Sequence, residues 1–213
     1  MNKAVVFLII FSAFVISCSG TKSANGAKSA NAEVKKGVAP IADAEIAVIE
    51  METPAYGTIK MELYSNIAPK MVARFKELAK EGVYDGVTFH RINASVIQAG
   101  DPLSKDADSS NDGTGKSNKP NVEAEFSDIP FDTGILGAAR GQDNNSANSQ
   151  FFITLKRETG FDNRYTIFGK VIEGMGNVRT ISGVTPKEGT PPERPVEPVR
   201  IKTIRIVPRG EAK

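Results

Sequence analysis

Phe89-His90-Arg91-Ile92, followed closely by Gln98-Ala99-Gly100-Asp101-Pro102, carries the most information about the fold of this chain. Further along, Ser149-Gln150-Phe151-Phe152-Ile153 adds a short apolar segment. No nucleophile–base pair or metal-ligand cluster accompanies these segments, so we expect neither a cofactor nor a metal. Their arginine, glutamine amide and apolar side chains suit a site that holds and twists a peptide without breaking a covalent bond.

Composition is that of an ordinary globular protein. A chain of 213 residues can hold one sizeable domain with appendages. Lys and Arg number 27 against 25 Asp and Glu, and this near balance gives no indication of nucleic-acid binding. The chain has one cysteine, which excludes an intrachain disulfide.

The amino terminus resembles a bacterial lipoprotein signal peptide over residues 1–17. Lys3 supplies a positive charge, and the apolar run that follows is shorter than the ~20 residues needed to span a bilayer. Val15-Ile16-Ser17-Cys18 resembles a lipobox, which predicts lipid attachment to the thiol of Cys18 and cleavage before it. An ordinary signal peptide with an unmodified cysteine is the alternative. Since several acyl chains anchor stably, we expect an extracytoplasmic protein held at a bacterial membrane through its lipid anchor only.

The lipidated cysteine is expected to lead through a linker into a single domain. Residues 18–43 are rich in Ser, Ala, Gly, Asn and Lys without apolar periodicity, which is typical of a flexible linker. Ser19 replaces the aspartate that retains many lipoproteins at the inner membrane, which favours the outer membrane if two are present. The domain is predicted over residues 44–208, with a C-terminal tail at residues 209–213.

Hydrophobic periodicity predicts many short strands and two helices in this domain. Apolar and polar residues alternate over residues 57–64, which is typical of a strand. Apolar residues recur at helical spacing over residues 69–81, before Gly82. Further strands are predicted at residues 44–51, 86–92, 95–99, 133–139, 149–155, 165–171 and 199–207, and a second helix at residues 173–181. This pattern favours a closed antiparallel barrel capped by helices.

An ordered set of motifs is similar to the cyclophilin-type peptidyl-prolyl isomerases of bacteria. The motifs are the three quoted above together with Gly57-Thr58-Ile59-Lys60, Ala68-Pro69-Lys70, Tyr84-Asp85-Gly86, Phe168-Gly169-Lys170-Val171 and Arg194-Pro195-Val196. The resemblance implies a mostly β fold, a closed eight-stranded antiparallel β-barrel capped by two α-helices. It further implies a monomeric enzyme of extracytoplasmic protein folding that acts on proline-containing polypeptides. A chaperone module that binds proline segments with little or no catalysis is the alternative.

Arg91 is the predicted catalytic residue. An X-Pro bond rotates in tens to hundreds of seconds unaided, because twisting it breaks amide resonance. In the twisted state the proline nitrogen regains a lone pair, and a donor aimed at that lone pair stabilises the transition state more than the ground state. A guanidinium is always charged and has rigid donors, and the resemblance assigns this role to Arg91. An ion-paired surface arginine is the alternative.

The resemblance implies an apolar pocket for the proline ring. Phe152 is expected to form its floor, with Val96 and Phe161 as walls. Adjacent Phe151 must point to the opposite face of the strand, so one of the two phenylalanines belongs to the core and the other to the pocket.

Polar groups are expected to hold the substrate backbone. By resemblance, Gln98 hydrogen-bonds the substrate and orients Arg91. The backbone of Gly141 holds the residue before proline, with Arg140 beside it. Tyr165 occupies a position where bacterial members of the family often have tyrosine.

Two departures from the family pattern bear on affinity. The segment after Arg91 is one residue shorter than usual, and Ser95 falls where a phenylalanine normally faces the pocket. Either this wall is thinner or Val96 has shifted into it. Gly160 stands where eukaryotic members often carry a tryptophan that covers cyclosporin, so weak cyclosporin binding is expected.

Two further features are given structural interpretations. His90 is the only histidine, and strand alternation places it on the face opposite Arg91, which favours a structural role. The segment 113–117 resembles the end of a phosphate-binding loop, but Ser110 breaks the pattern and its polar surroundings predict a surface loop.

Overall fold

One antiparallel sheet of eight strands and two α-helices dominate the computed structural model, which describes residues 33–187 and 193–211. The predicted signal peptide and Cys18 lie outside these residues. The strands are β1 (Glu45–Met51), β2 (Thr58–Leu63), β3 (Arg91–Ile92), β4 (Val96–Ala99), β5 (Ile135–Ala138), β6 (Phe151–Thr154), β7 (Ile167–Glu173) and β8 (Ile201–Pro208). The helices are α1 (Pro69–Lys80) and α2 (Met175–Ser182). The predicted number of strands and helices is confirmed.

The strand order is β3-β4-β6-β5-β7-β2-β1-β8, and every neighbouring pair is antiparallel. Among the described residues, the edge strands β3 and β8 share no ladder. The segments that precede them meet at an isolated bridge between Thr88 and Arg200. The sheet is therefore curled into a half-barrel, and the complete closure predicted from the sequence is not shown by a ladder between its edge strands. The predicted strand at residues 86–92 is reduced to two residues, because the backbone before Arg91 bonds to the irregular segment that leads into β8.

Helix α1 covers one side of the sheet. Pro69 occupies its first turn, where a missing N–H costs nothing. The buried carboxylate of Glu125 accepts the free N–H groups of Lys70 and Met71 at 3.1 and 3.0 Å, which replaces a capping side chain at the preceding alanine. Phe75, on the buried face, packs against the ring of Phe151 at a centroid distance of 5.4 Å.

The apolar side chains form two clusters on opposite sides of strand β6. Phe151 belongs to the main core beneath α1 and α2. Phe152 belongs to a smaller cluster that also contains Val96, Phe131 and Ile135. Alternation along β6 therefore separates the two phenylalanines as the sequence predicts.

Residues 33–43 lie against the domain, which differs from the prediction of a flexible linker up to residue 43. Lys35 pairs with Ser127 in an isolated bridge, and its ammonium donates to the carbonyl oxygen of Ile67 at 2.6 Å. The Asp43 carboxylate accepts hydrogen bonds from Ser65 and Lys76. These polar bonds hold the segment, whereas its apolar side chains Val38 and Ile41 remain exposed.

Candidate active site

A pocket of about 380 Å³ opens beside strands β3, β4 and β6. The structure brings all eight predicted site residues of the domain to this pocket. They are Arg91, Val96, Gln98, Arg140, Gly141, Phe152, Phe161 and Tyr165. Residues that lie far apart in the chain thus meet at one concave surface.

Strand register explains why three of these side chains share a face. Arg91 on β3 is opposite Gln98 on β4, and Gln98 is opposite Phe152 on β6. Directly opposed residues of an antiparallel pair project to the same side of the sheet. Phe152 in turn is opposite Gly137 on β5, where a Cβ atom would lie only 2.2 Å from the Cζ atom of Phe152. Gly137 therefore makes room for the ring, a role that no sequence motif indicated.

Aromatic rings form the apolar end of the pocket. The Phe152 ring lies 5.5 Å from that of Phe161 and 5.6 Å from that of Tyr165, with interplanar angles of 67° and 88°. Phe131 packs behind Phe152 at 5.9 Å. Edge-to-face contacts of this kind stabilise beyond simple burial, so the floor is held in a defined shape.

The shortened segment after Arg91 brings Val96 into the wall. Asn93 closes the turn, since its side-chain oxygen accepts the backbone N–H groups of Ser95 at 2.8 Å and Val96 at 2.9 Å. Val96 is buried and lines the pocket, whereas Ser95 does not line it. Val96 therefore forms part of the wall, as predicted, and the side chain at Ser95 adds nothing to it.

The guanidinium of Arg91 has no hydrogen-bond or ion-pair partner among the described residues. Its Nε atom is buried without a hydrogen-bond partner, and no ion pair within residues 33–187 and 193–211 includes Arg91. A buried donor without an acceptor is unfavourable, so this group is available to a ligand in the pocket. The alternative interpretation as an ion-paired surface arginine has no support in these contacts.

A second glutamine, which the sequence analysis did not select, connects the site to a neighbouring loop. The Gln98 amide nitrogen donates to the side-chain oxygen of Gln150 at 2.8 Å, and no hydrogen bond from Gln98 to Arg91 is found in the described residues. The Gln150 amide nitrogen then donates to the carbonyl oxygens of Gly113 and Gly115 at 3.1 and 2.7 Å. Gln150 directly precedes the two phenylalanines of β6, and this position in the sequence could have identified it as a candidate site residue.

The loop at residues 113–116 lines the pocket. Asp101 lies beneath it, fully buried, and accepts backbone N–H groups from Leu103, Gly113 and Gly115. The loop is at the surface, as predicted, but it is also a wall of the site. The N–H groups of Gly113 and Gly115 already donate to the Asp101 carboxylate, so they are not free to bind a phosphate.

His90 lies behind the two glutamines and does not line the pocket. It is 1% exposed, and its Nε2 atom is 3.5 Å from the amide nitrogen of Gln98. Burial lowers the pKa of His90 from 6.5 to about 4, because the charged ring would lose its hydration. The ring is therefore neutral at pH 7.

Arg140 and Gly141 form a polar rim next to the aromatic rings. The Arg140 guanidinium lies 4.7 Å from the centre of the Tyr165 ring and donates to the carbonyl oxygens of Arg164 and Gly141. The Gly141 N–H already donates to the Ser146 hydroxyl at 2.9 Å. A carbonyl oxygen has two lone pairs, so the Gly141 carbonyl can still accept a substrate N–H.

The described residues contain no group of three or more His, Cys, Asp and Glu side chains placed to hold a metal ion. Within the same part of the chain, no helix has both the length and the apolar character required to cross a membrane.

The residues that line the pocket supply directed donors, carbonyl oxygens and apolar rings, which can bind a peptide and stabilise a twisted amide.

Comparison with known proteins agrees with this geometry. The family model described as cyclophilin type peptidyl-prolyl cis-trans isomerase/CLD matches residues 48–206. A probable peptidyl-prolyl cis-trans isomerase of Brucella suis is 45% identical over 130 residues, which are 59% of this chain and 66% of that protein. A peptidyl-prolyl cis-trans isomerase of Schizosaccharomyces pombe is 39% identical over 169 residues, which are 73% of this chain and 96% of that protein.

A solved structure shows the same fold. The cyclophilin type peptidyl-prolyl cis-trans isomerase of Cryptosporidium parvum, crystallised in the presence of the dipeptide Ala-Pro, superposes with a TM-score of 0.67 at 28% identity. The match covers 76% of this chain and 98% of that chain. This chain belongs to the cyclophilin-type peptidyl-prolyl cis-trans isomerase family.

Proposed function

We propose that this protein accelerates rotation about X-Pro peptide bonds, with Arg91 as the catalytic residue. The observation that carries the proposal is the buried, partnerless Nε of Arg91 at the pocket formed by Phe152. The strand register sets both side chains on one face of the sheet. A proline ring on Phe152 would bring its nitrogen within reach of the guanidinium.

The chemistry requires no proton transfer. In the twisted amide the proline nitrogen carries a localised lone pair, and Arg91 donates a hydrogen bond to it. This bond is stronger in the transition state than in the planar ground state, so it lowers the barrier and not merely the dissociation constant. One such donor typically contributes ~10²–10³ in rate.

The substrates are proline-containing polypeptides. The apolar rings accept the proline side chain, whereas Gln98 and the Gly141 carbonyl serve the flanking backbone. The relative from Cryptosporidium parvum was crystallised in the presence of Ala-Pro, which supports a proline dipeptide as the minimal ligand. Ser95 is a weak argument for the alternative of a binding module without catalysis. The presence of Arg91, Gln98 and Phe152 in one pocket argues against that alternative.

Exchange spectroscopy on a proline peptide tests the proposal. The full-length protein is expected to raise the cis–trans exchange rate at catalytic concentrations, and Arg91→Ala is expected to remove most of this effect while still binding the peptide. A wild-type protein that binds the peptide without accelerating exchange would instead identify a binding module.

We further propose that the protein acts as a monomer, anchored by lipid outside the cytoplasm of a bacterial cell. The support for the lipid anchor is Val15-Ile16-Ser17-Cys18 and the apolar run before it. Ser19 favours the outer membrane if the cell has two. Analysis of membrane fractions tests this location directly.

A further inference from the structure

The pocket continues beyond the aromatic rings into a polar end. Its lining residues there are Gly113, Thr114, Gly115, Lys116, Ser146, Asn148 and Ser149. A volume of about 380 Å³ is within the range of sites that hold whole ligands, ~300–1,000 Å³. The space is larger than one pyrrolidine ring fills, so the polar end can receive a neighbouring side chain of the substrate.

All the charged residues that line the pocket are basic. Arg91, Lys116 and Arg140 line the pocket, and no Asp or Glu is found among its described lining residues. Arg140 is engaged with Tyr165 and with backbone carbonyl oxygens. Lys116 is exposed and has no ion pair within the described ranges, whereas nearby Lys119 forms ion pairs with two glutamates.

The carboxylates nearest to this loop are directed into the protein. The Asp101 oxygens accept three backbone N–H groups and are fully buried. Asp112 is buried next to Arg194, whose guanidinium also donates to the Asp112 carbonyl oxygen at 2.7 Å. These acids are therefore compensated within the fold, and Lys116 carries the free charge at the polar end.

The expected contact with Gly141 indicates the direction in which the substrate chain runs through the pocket. If Gly141 holds the residue before proline, the next residue toward the amino terminus lies near Ser146, which is bonded to the Gly141 N–H and lines the polar end. Ser149 lines the same end, and its buried hydroxyl has no hydrogen-bond partner among the described residues. Because the Ser149 hydroxyl is fully buried, the exposed Lys116 ammonium is the group at this end that suits an anionic side chain.

We propose that this isomerase selects proline segments that carry an acidic side chain two residues before the proline, and that Lys116 is the residue that reads it. The inference rests on the proposed function and names the substrate class of the same site. A two- to fivefold change in kcat/KM corresponds to ~0.4–1 kcal/mol, which lies within the ~0.2–1 kcal/mol that an exposed ion pair contributes.

The test uses the full-length protein and the peptides Ala-Xaa-Ala-Pro-Phe, with Glu, Gln or Lys as Xaa. At low ionic strength, kcat/KM is expected to be about two- to fivefold higher with Glu than with Gln, and lower again with Lys. These differences are expected to shrink in 1 M salt, because the pair is exposed to solvent.

Substitutions then identify the residue that causes the preference for the Glu peptide. Lys116→Gln is expected to remove the ratio between the Glu and Gln peptides, and Lys116→Glu is expected to reverse the order of the Glu and Lys peptides. Lys202→Gln, at an exposed lysine of β8 that does not line the pocket, makes the same charge change and is expected to keep the wild-type ratio.

Two results would overturn the inference without affecting the proposed function. One is equal turnover of the three peptides by the wild type, which would leave the proposed isomerase activity intact. The other is a preference for Glu that persists in Lys116→Gln. Absence of turnover even with the neutral Gln peptide would overturn the proposed function, and this inference with it.

Discussion

The ring of Phe152 occupies the space that a side chain at Gly137 would need. The two residues are opposite each other on β6 and β5, and a Cβ atom on Gly137 would lie 2.2, 2.5 and 2.7 Å from three carbon atoms of the ring. The pocket floor therefore depends on a glycine that does not itself line the pocket.

Gly137→Ala is expected to push the Phe152 ring into the pocket. The strain is expected to destabilise the fold by ~1–3 kcal/mol, as overpacking of a core does, and to lower kcat/KM for a proline peptide at least tenfold. Gly176→Ala is the matched control, since a Cβ there meets nothing within 4 Å. Thermal unfolding and peptide turnover measure both effects, and a Gly137→Ala protein with wild-type values of both would contradict this account.

Arg91→Ala is expected to lower kcat/KM for cis–trans isomerisation at least tenfold, toward the ~10²–10³ typical of a lost transition-state donor. Arg91→Lys keeps the charge but loses the rigid fork of donors, so an intermediate loss is expected. Arg179→Ala, at an exposed arginine of α2, serves as the control. Circular dichroism establishes that each variant is folded. Wild-type turnover by folded Arg91→Ala would exclude the proposed mechanism.

The buried His90 is expected to make stability depend on pH. Its pKa is about 4 in the folded protein and 6.5 when unperturbed, so between these values the unfolded chain binds a proton that the folded chain does not. The free energy of unfolding therefore falls as the pH is lowered from 6.5 to 4, by up to about 3 kcal/mol. Carboxylates contribute similarly to the pH dependence of wild type and of His90→Gln. The difference between the stability profiles of the two proteins therefore isolates the contribution of the histidine. Parallel profiles over this window would disprove the effect.

Cyclosporin is expected to inhibit poorly. Gly160 is exposed, and a side chain there would meet nothing within 4 Å. A tryptophan at this position would add a hydrogen bond and partial ring contact, together worth about 3 kcal/mol, or roughly a hundredfold in affinity. Gly160→Trp is therefore expected to gain sensitivity in an inhibition titration. Nanomolar inhibition of the wild type would show that another side chain covers the drug.

Cys18→Ala is expected to abolish lipidation and to leave the protein either uncleaved or free of the membrane. Membrane partitioning and intact mass provide the measurement. A wild-type mature protein that begins at a residue other than 18, without added acyl mass, would refute the anchor.

The family, the number of strands and helices, and the residues that meet at the pocket could all be predicted from the amino-acid sequence. These features follow from local rules: alternation along β6 separates Phe151 from Phe152, and helical spacing defines α1. Motif order then placed Arg91 and Gln98 at one site. Their catalytic and binding roles remain predictions.

Contacts between distant segments could not be predicted from the motifs and are visible only in the folded protein. The turn closed by Asn93 puts Val96 rather than Ser95 in the wall, and Gln98 bonds to Gln150 rather than to Arg91. The docking of residues 33–43 and the fit between Gly137 and Phe152 are likewise contacts between distant parts of the chain. The physical reason is that periodicity specifies which face a side chain takes, whereas its partner across the fold depends on how distant segments are packed together.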